Sequence, residues 1–137
     1  MATITTDGLA QFAVSLEELQ ELPIKVIDKM LDAQADIIEP AQKAKGRAYG
    51  VYRTGVTLAS IKRGSKKKTK NGRSIHITPQ GRNADGNRNA EVAFINEFGK
   101  KNQPARPFIR DANEANADNA VAASAAIYDQ YLKSKGL

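Results

Sequence analysis

Residues 95–112 read INEFGKKNQPARPFIRDA, and the fold turns on how this run is built. It opens with the apolar residues of a strand and closes with the start of a helix. Gly99 permits a backbone turn that other residues resist. Pro104 and Pro107 fix their own φ and push the residues before them toward extended geometry. Phe108 then anchors the corner in the core while a helix starts behind it. Glu97, Phe98, Gly99, Pro104, Arg106, Pro107 and Phe108 therefore predict a rigid strand-to-helix corner, a feature that by itself carries no function.

Upstream of the corner, AEVAFINEFG alternates, with Val92, Phe94 and Phe98 on one face and Ala93 and Ile95 on the other, which predicts a third strand. Before it, GRNADGNRN is polar and rich in Gly and Asn, a connection expected to be mobile. Earlier still comes KKKTKNGRSIHITPQG. Asn71 and Gly72 form the preferred pair for a two-residue hairpin turn, a register that sets Lys68 opposite Ile75 and Lys66 opposite Ile77. The first arm has no apolar residue after Ile61, so the hairpin is expected to project from the body, with residues 62–89 forming hairpin and loop.

Downstream of the corner, the chain reads as a helix from Pro107 or Asp111 to Lys133, rich in alanine and followed by Gly136. Toward the N-terminus, residues 1–14 show no clear period and predict a flexible start. Ser15 and Glu18 have capping-box spacing, which predicts a short helix over 15–22. Pro23 suits the first turn of a longer helix over about 23–48. Ile24, Ile27, Leu31, Ile37, Ile38, Ala41, Ala44 and Ala48 form its expected buried stripe, and Pro40 is expected to kink it. Acids early and Lys43, Lys45 and Arg47 late suit the helix dipole. The fold class is α+β in a single domain over 1–137: a long N-terminal helix, a small antiparallel sheet with a projecting β-hairpin, and a C-terminal helix packed on the sheet.

The chain has 137 residues, enough for one modest core, and 41% of them are hydrophobic, which fits a globular protein. It has no cysteine, so no disulfide and no thiolate metal site form. No apolar run is long enough to span a bilayer, and the N-terminus has no basic-then-apolar pattern of a secretory signal. These features predict no membrane partner and a cytoplasmic site of synthesis and assembly.

Charge is distributed unevenly. Residues 1–39 carry two Lys against eight acids, net −6; residues 40–84 carry twelve Lys and Arg and no acid, net +12; residues 85–137 hold seven of each sign. Asp28, Asp32 and Asp36 recur at i, i+4 on one helix face. No loop with calcium geometry surrounds them, so they read as a solvated face or as an acidic interface stripe. Lys62, Arg63, Lys66, Lys67, Lys68, Lys70 and Arg73 form a basic hairpin that is expected to meet a neighbouring subunit or DNA phosphates. It lacks the interleaved aromatics of a single-strand binder and any major-groove motif, and the same lysines serve equally as a block against unwanted strand pairing. His76, the single histidine, alternates away from Ile75 and Ile77 and reads as a surface residue. No GxxxxGK[ST] or GxGxxG occurs. No catalytic, cofactor or metal residues are assigned, and no enzymatic activity is expected.

The corner also carries a resemblance. Glu97, Phe98 and Gly99, followed by Arg106, Pro107, Phe108, Ile109, Arg110, Asp111 and Ala112, resemble the "EFG" and "xxPFxRxA" signature of the gene-product-ten-like tail-component proteins of long-tailed phages. TGVTLASI, residues 54–61, is similar to that family's "TGxLxxSI" with one extra residue, and Asp111 stands where the family has a proline. The resemblance implies a structural virion protein of the phage neck or tail. It implies a homo-oligomeric ring, commonly a hexamer, at the head–tail junction around the DNA channel, contacting other neck and tail proteins and, non-specifically, packaged DNA. Tail completion and tail termination are both roles of this kind. A ring joins two different patches of one subunit head to tail, and the acidic and basic segments are the expected patches. A small nucleic-acid-binding protein using the basic hairpin is the alternative reading.

Overall fold

A computed structural model of the chain describes residues 2–5, 10–15, 23–51, 55–70 and 72–136. The elements are β1 (Ala2–Thr5), β2 (Ala10–Ser15), α1 (Ile24–Ala48), α2 (Val56–Ala59), β3 (Ile61–Arg63), β4 (Lys67–Thr69), β5 (Gly72–Pro79), α3 (Asn89–Phe98) and α4 (Phe108–Ser134). The fold is α+β. An antiparallel sheet runs in the order β1-β2-β5-β3, with β4 also on β5. α1 crosses the sheet, and α4 lies chiefly along α1, meeting the sheet mainly at β1 rather than covering it.

The start of the chain corrects an expectation. Residues 1–14 contain two strands, with β2 registered on β5 from Ala10 opposite Ile77 to Ser15 opposite Gly72. Two short alternating stretches flank Asp7 and Gly8, a hairpin pattern. Ser15 ends β2 instead of opening a helix, and the rest of the expected helix over 15–22 lies outside the described residues.

The segment expected to be a third strand is the helix α3. β5 has β2 on one side and β3 with β4 on the other, so no ladder edge of the central strand remains for it. Asn89, Ala93 and Glu97, spaced four apart, are its buried residues. The aromatic residues that suggested alternation point outward, Phe94 63% and Phe98 56% exposed. The connection before it is tied down. The Asn83 side chain accepts from the backbone N–H of Asp85 and of Asn87, each at 3.0 Å, and Arg82 donates to the Gly86 carbonyl at 2.8 Å.

The hairpin register also differs from expectation. Thr69 stands opposite Gly72 and Lys68 opposite Arg73, so the two-residue connection is residues 70–71, with Asn71 itself outside the described residues. The second arm does not project. β5 is the central strand and buries Ile75 and Ile77 under α1. Only the lysine-bearing first arm stands at the margin.

The core joins Ile27, Leu31, Ile38, Leu58, Ile61, Ile75, Ile77 and Phe108, all 2% exposed or less. Each such side chain contributes about 1.5–3 kcal/mol on burial. In α1, Ile24 is exposed at 59%, and Ala44 and Ala48 are exposed too. The interior face instead includes Gln34, Gln42 and Gly46. Gln34 Nε2 donates to Ser124 Oγ and Gln42 Nε2 to Asn113 Oδ1, both at 3.0 Å, which runs α4 antiparallel to α1. Gln34 Oε1, Gln42 Oε1 and Asn113 Nδ2 are buried without a hydrogen-bond partner.

Candidate functional site

The acidic and basic segments meet inside one chain. Arg73 on β5 grips Asp28, Nε to Oδ1 at 2.7 Å and Nη2 to Oδ2 at 3.2 Å. Lys66 Nζ lies 2.9 Å from Asp32 Oδ2. Arg63 Nη2 donates to Asp36 Oδ1 and to Glu39 Oε2, each at 2.8 Å. Desolvation opposes the Arg63 charge, yet hydrogen bonds to Glu39 and Asp36 raise its pKa above the ordinary value.

A break in the β ladder makes this seam possible. Arg63 stands opposite Ile77 and Lys67 opposite Ser74, so residues 64–66 face only Ile75 and His76, one residue more than the partner strand offers. An extra residue of this kind reverses which side chains point to a given face. Arg63 before the bulge and Lys66 at its end thus both reach the α1 side although three residues apart. The acids follow the helix at four-residue spacing and the bases follow the bulged strand. Asp28, Asp32 and Asp36 are therefore not a free stripe awaiting a neighbour. Nor are Arg63, Lys66 and Arg73 free: their charges are matched within the subunit. Among the described residues, no ion pair involves Lys62, Lys67, Lys68 or Lys70, and all four are exposed. His76 is half-buried, registered opposite Gln11.

The corner over 95–112 fastens α3 to α4. Glu97, 4% exposed, accepts the backbone N–H of Ile109 at 2.9 Å through Oε1 and of Arg110 at 3.0 Å through Oε2. It thereby supplies the cap of α4 that Pro107 does not. Burial pushes the Glu97 carboxyl above its ordinary pKa, against the opposing pull of the two backbone N–H groups. Gly99 has φ +79°, and a Cβ there would stand 2.7 Å from the Gln103 carbonyl oxygen and 2.8 Å from the Ala105 nitrogen. The Arg106 N–H donates to the Asn96 carbonyl at 2.6 Å, and its guanidinium Nη1 donates to the Gly50 carbonyl at 3.0 Å. Phe108 is fully buried and packs at Gly46 near the end of α1. Pro104 is exposed and acts through its backbone geometry alone. Tyr49 Oη donates to Asp111, raising the tyrosine pKa and lowering that of the carboxyl.

Two features were not read from sequence. Phe98 is not a corner anchor but half of an outward aromatic pair with Phe94, their rings 4.7 Å apart, with exposed Ile95 beside them. The capping role of Glu97 links residues twelve and thirteen apart, a meeting across a loop that no local pattern in the sequence marks. What the arrangement offers chemically is contact: a matched seam, an unmatched lysine margin and an uncovered aromatic face. Among the described residues, no group of three or more His, Cys, Asp or Glu side chains is placed to hold a metal ion. No helix among them is long and apolar enough to cross a membrane.

Comparison with protein-family models, with curated proteins and with solved structures gave no match to this chain.

Proposed function

We propose that this chain is a structural protein of the phage neck or tail, without enzymatic activity, that assembles as a ring at the head–tail junction around the DNA channel. The observation that carries the reading is the resemblance of the corner residues to the tail-component signature. The residues of the tail-component signature work as one device in which Glu97 caps α4, Gly99 admits the turn, Arg106 ties back to Gly50 and Phe108 fills the core. The device holds α3 with its aromatic face outward, as a subunit built for contact requires. The intramolecular seam changes the expected assembly chemistry, because the acidic α1 stripe is already neutralised and ring contacts rest on other surfaces.

The test is disruption of the coding sequence in the phage that carries it, followed by electron microscopy of the lysate. Filled heads and separate tails, rejoined on adding the purified protein, are expected for a joining protein. Normal joined virions without the chain overturn the proposal. Tails of uncontrolled length point to the tail-terminator role instead.

A second reading has its own observation. Lys62, Lys67, Lys68 and Lys70 remain unmatched and exposed at the sheet margin, the composition of a phosphate-contacting edge. A nucleic-acid-binding module predicts duplex affinity that falls steeply with salt and is lost in Lys67→Glu/Lys68→Glu. Affinity indifferent to those changes overturns it.

A further inference from the structure

Helix α3 leaves an apolar stripe uncovered. Phe94, Ile95 and Phe98 are 63%, 39% and 56% exposed, and with Glu91 they fall at i, i+3, i+4 and i+7, one face of a helix. The opposite face is fastened at both ends. Asn89 Nδ2 donates to the Gln80 carbonyl at 2.8 Å, and the Asn89 backbone N–H donates to the Gly81 carbonyl at 3.0 Å. At the other end the Arg106 N–H donates to the Asn96 carbonyl, and Glu97 holds the start of α4. These ties keep the helix from rolling its aromatics inward. The stripe is thus presented in a fixed orientation, with little freedom left to lose on binding.

The two ends of the stripe differ in charge. Glu91 lies at the N-terminal end, where it meets Arg88 at 3.8 Å with both side chains more than half exposed, a pair that water screens. Exposed Lys100 and Lys101 follow the C-terminal end, and neither makes an ion pair among the described residues. A purely acidic partner would suit the lysines and oppose Glu91. A second α3 laid antiparallel suits both ends, because it sets Glu91 of each copy beside the Lys100–Lys101 turn of the other. The same arrangement sets Phe94 opposite Phe98 and puts Ile95 near the two-fold axis. It joins two ring pairs, each with centroids 4.7 Å apart, into one four-ring cluster. Parallel pairing would instead bring like charges together at each end.

We infer that the α3 stripe is a self-pairing surface, on which a second copy of this chain docks antiparallel about a two-fold axis. The contact goes beyond the ring reading and does not rest on it. An isologous contact closes at two copies, so in a ring-forming chain it joins two rings back to back. Two half-exposed phenylalanines and one isoleucine offer on the order of 300 Å² per copy, below the roughly 800 Å² per partner of a standard interface, so the pairing is weak and reversible.

The test is sedimentation of the full chain from about 1 μM to about 1 mM. Wild type is expected to show a concentration-dependent doubling of mass. Phe94→Ser/Phe98→Ser is expected to keep its melting temperature, since both rings are exposed, and to weaken the doubling roughly tenfold or more. Glu91→Lys alone and Lys100→Glu/Lys101→Glu alone are each expected to weaken it about threefold. An equimolar mixture of those two proteins is expected to restore it, because opposite charges then meet at both ends. The chain contains no cysteine, so Ile95→Cys places a single thiol near the axis, and mild oxidation is expected to link copies in pairs. A wild type without the doubling over this range overturns the inference and leaves the stripe to a partner of another sequence. So does a doubling untouched by the two serines, or a charge-swapped mixture no stronger than its components. Any of these leaves the ring reading standing, whereas normal virions from phage lacking the chain remove the ring reading and leave the pairing.

Discussion

Glu97 and Asp111 sit at the same corner and respond to acid in opposite directions. Burial raises the Glu97 pKa, so the folded chain binds that proton more readily than the unfolded chain. Its contribution is full below the unfolded pKa and drains away as pH rises through the folded one. Wild type should therefore gain stability relative to Glu97→Gln as pH falls from 7 toward the ordinary carboxylate range, measured by urea unfolding. The Tyr49 hydroxyl lowers the Asp111 pKa, so that contribution is present above the unfolded pKa and is lost as pH falls through the folded one. Tyr49→Phe should flatten the acid limb of the stability profile. At neutral pH, Glu97→Ala leaves two N–H groups at the start of α4 without their acceptor and should cost about 1–2 kcal/mol. Gly99→Ala forces a Cβ against backbone atoms at positive φ and should cost about 1–3 kcal/mol in the same assay. The need for Gly99 and the burial of Phe108 were legible in sequence because turn chemistry and size are local properties. The cap by Glu97 was not, since it is a meeting of two elements separated by a loop.

At the scale of elements, the seam between α1 and the bulged strand depends on a shared cation. Arg63 serves Asp36 and Glu39 directly, and lies 3.7 Å from Asp32. Arg63→Ala leaves neighbouring carboxylates on one helix face without their shared cation and should cost about 1–2 kcal/mol. Arg63→Lys should recover less than half of that, because an ammonium cannot reproduce the planar fork. A double-mutant cycle with Glu39→Gln should give a coupling of about 1 kcal/mol, and a coupling near zero would mean that water screens the pair. Element types were legible where the period was long. α1 and α4 show in sequence because helical spacing persists over 25 and 27 residues. α3 misleads because its outward aromatics mimic alternation over ten residues, whereas the residues it buries, Asn89, Ala93 and Glu97, follow the four-residue spacing of a helix. The acidic and basic segments were visible as charge, but sequence alone does not say whether opposite charges meet within a subunit or between subunits.

For the whole molecule, internal pairing leaves the net charge of +6 expressed mainly through lysines away from the seam. Added salt should then weaken contact with any polyanion more than it lowers the melting temperature, a contrast checked by parallel binding and thermal scans from 50 to 500 mM salt, values on the order of ordinary low and high ionic strength. The long antiparallel pair α1 and α4 is held apart from all of this by buried amides. Gln34, Gln42 and Asn113 are each 0% exposed. In deuterated solvent their side-chain NH2 protons should outlast those of surface amides, and their decay should follow separation of the two helices rather than fraying at either end. Three isotopic clocks thus lie along the helix interface, timing how often the subunit opens.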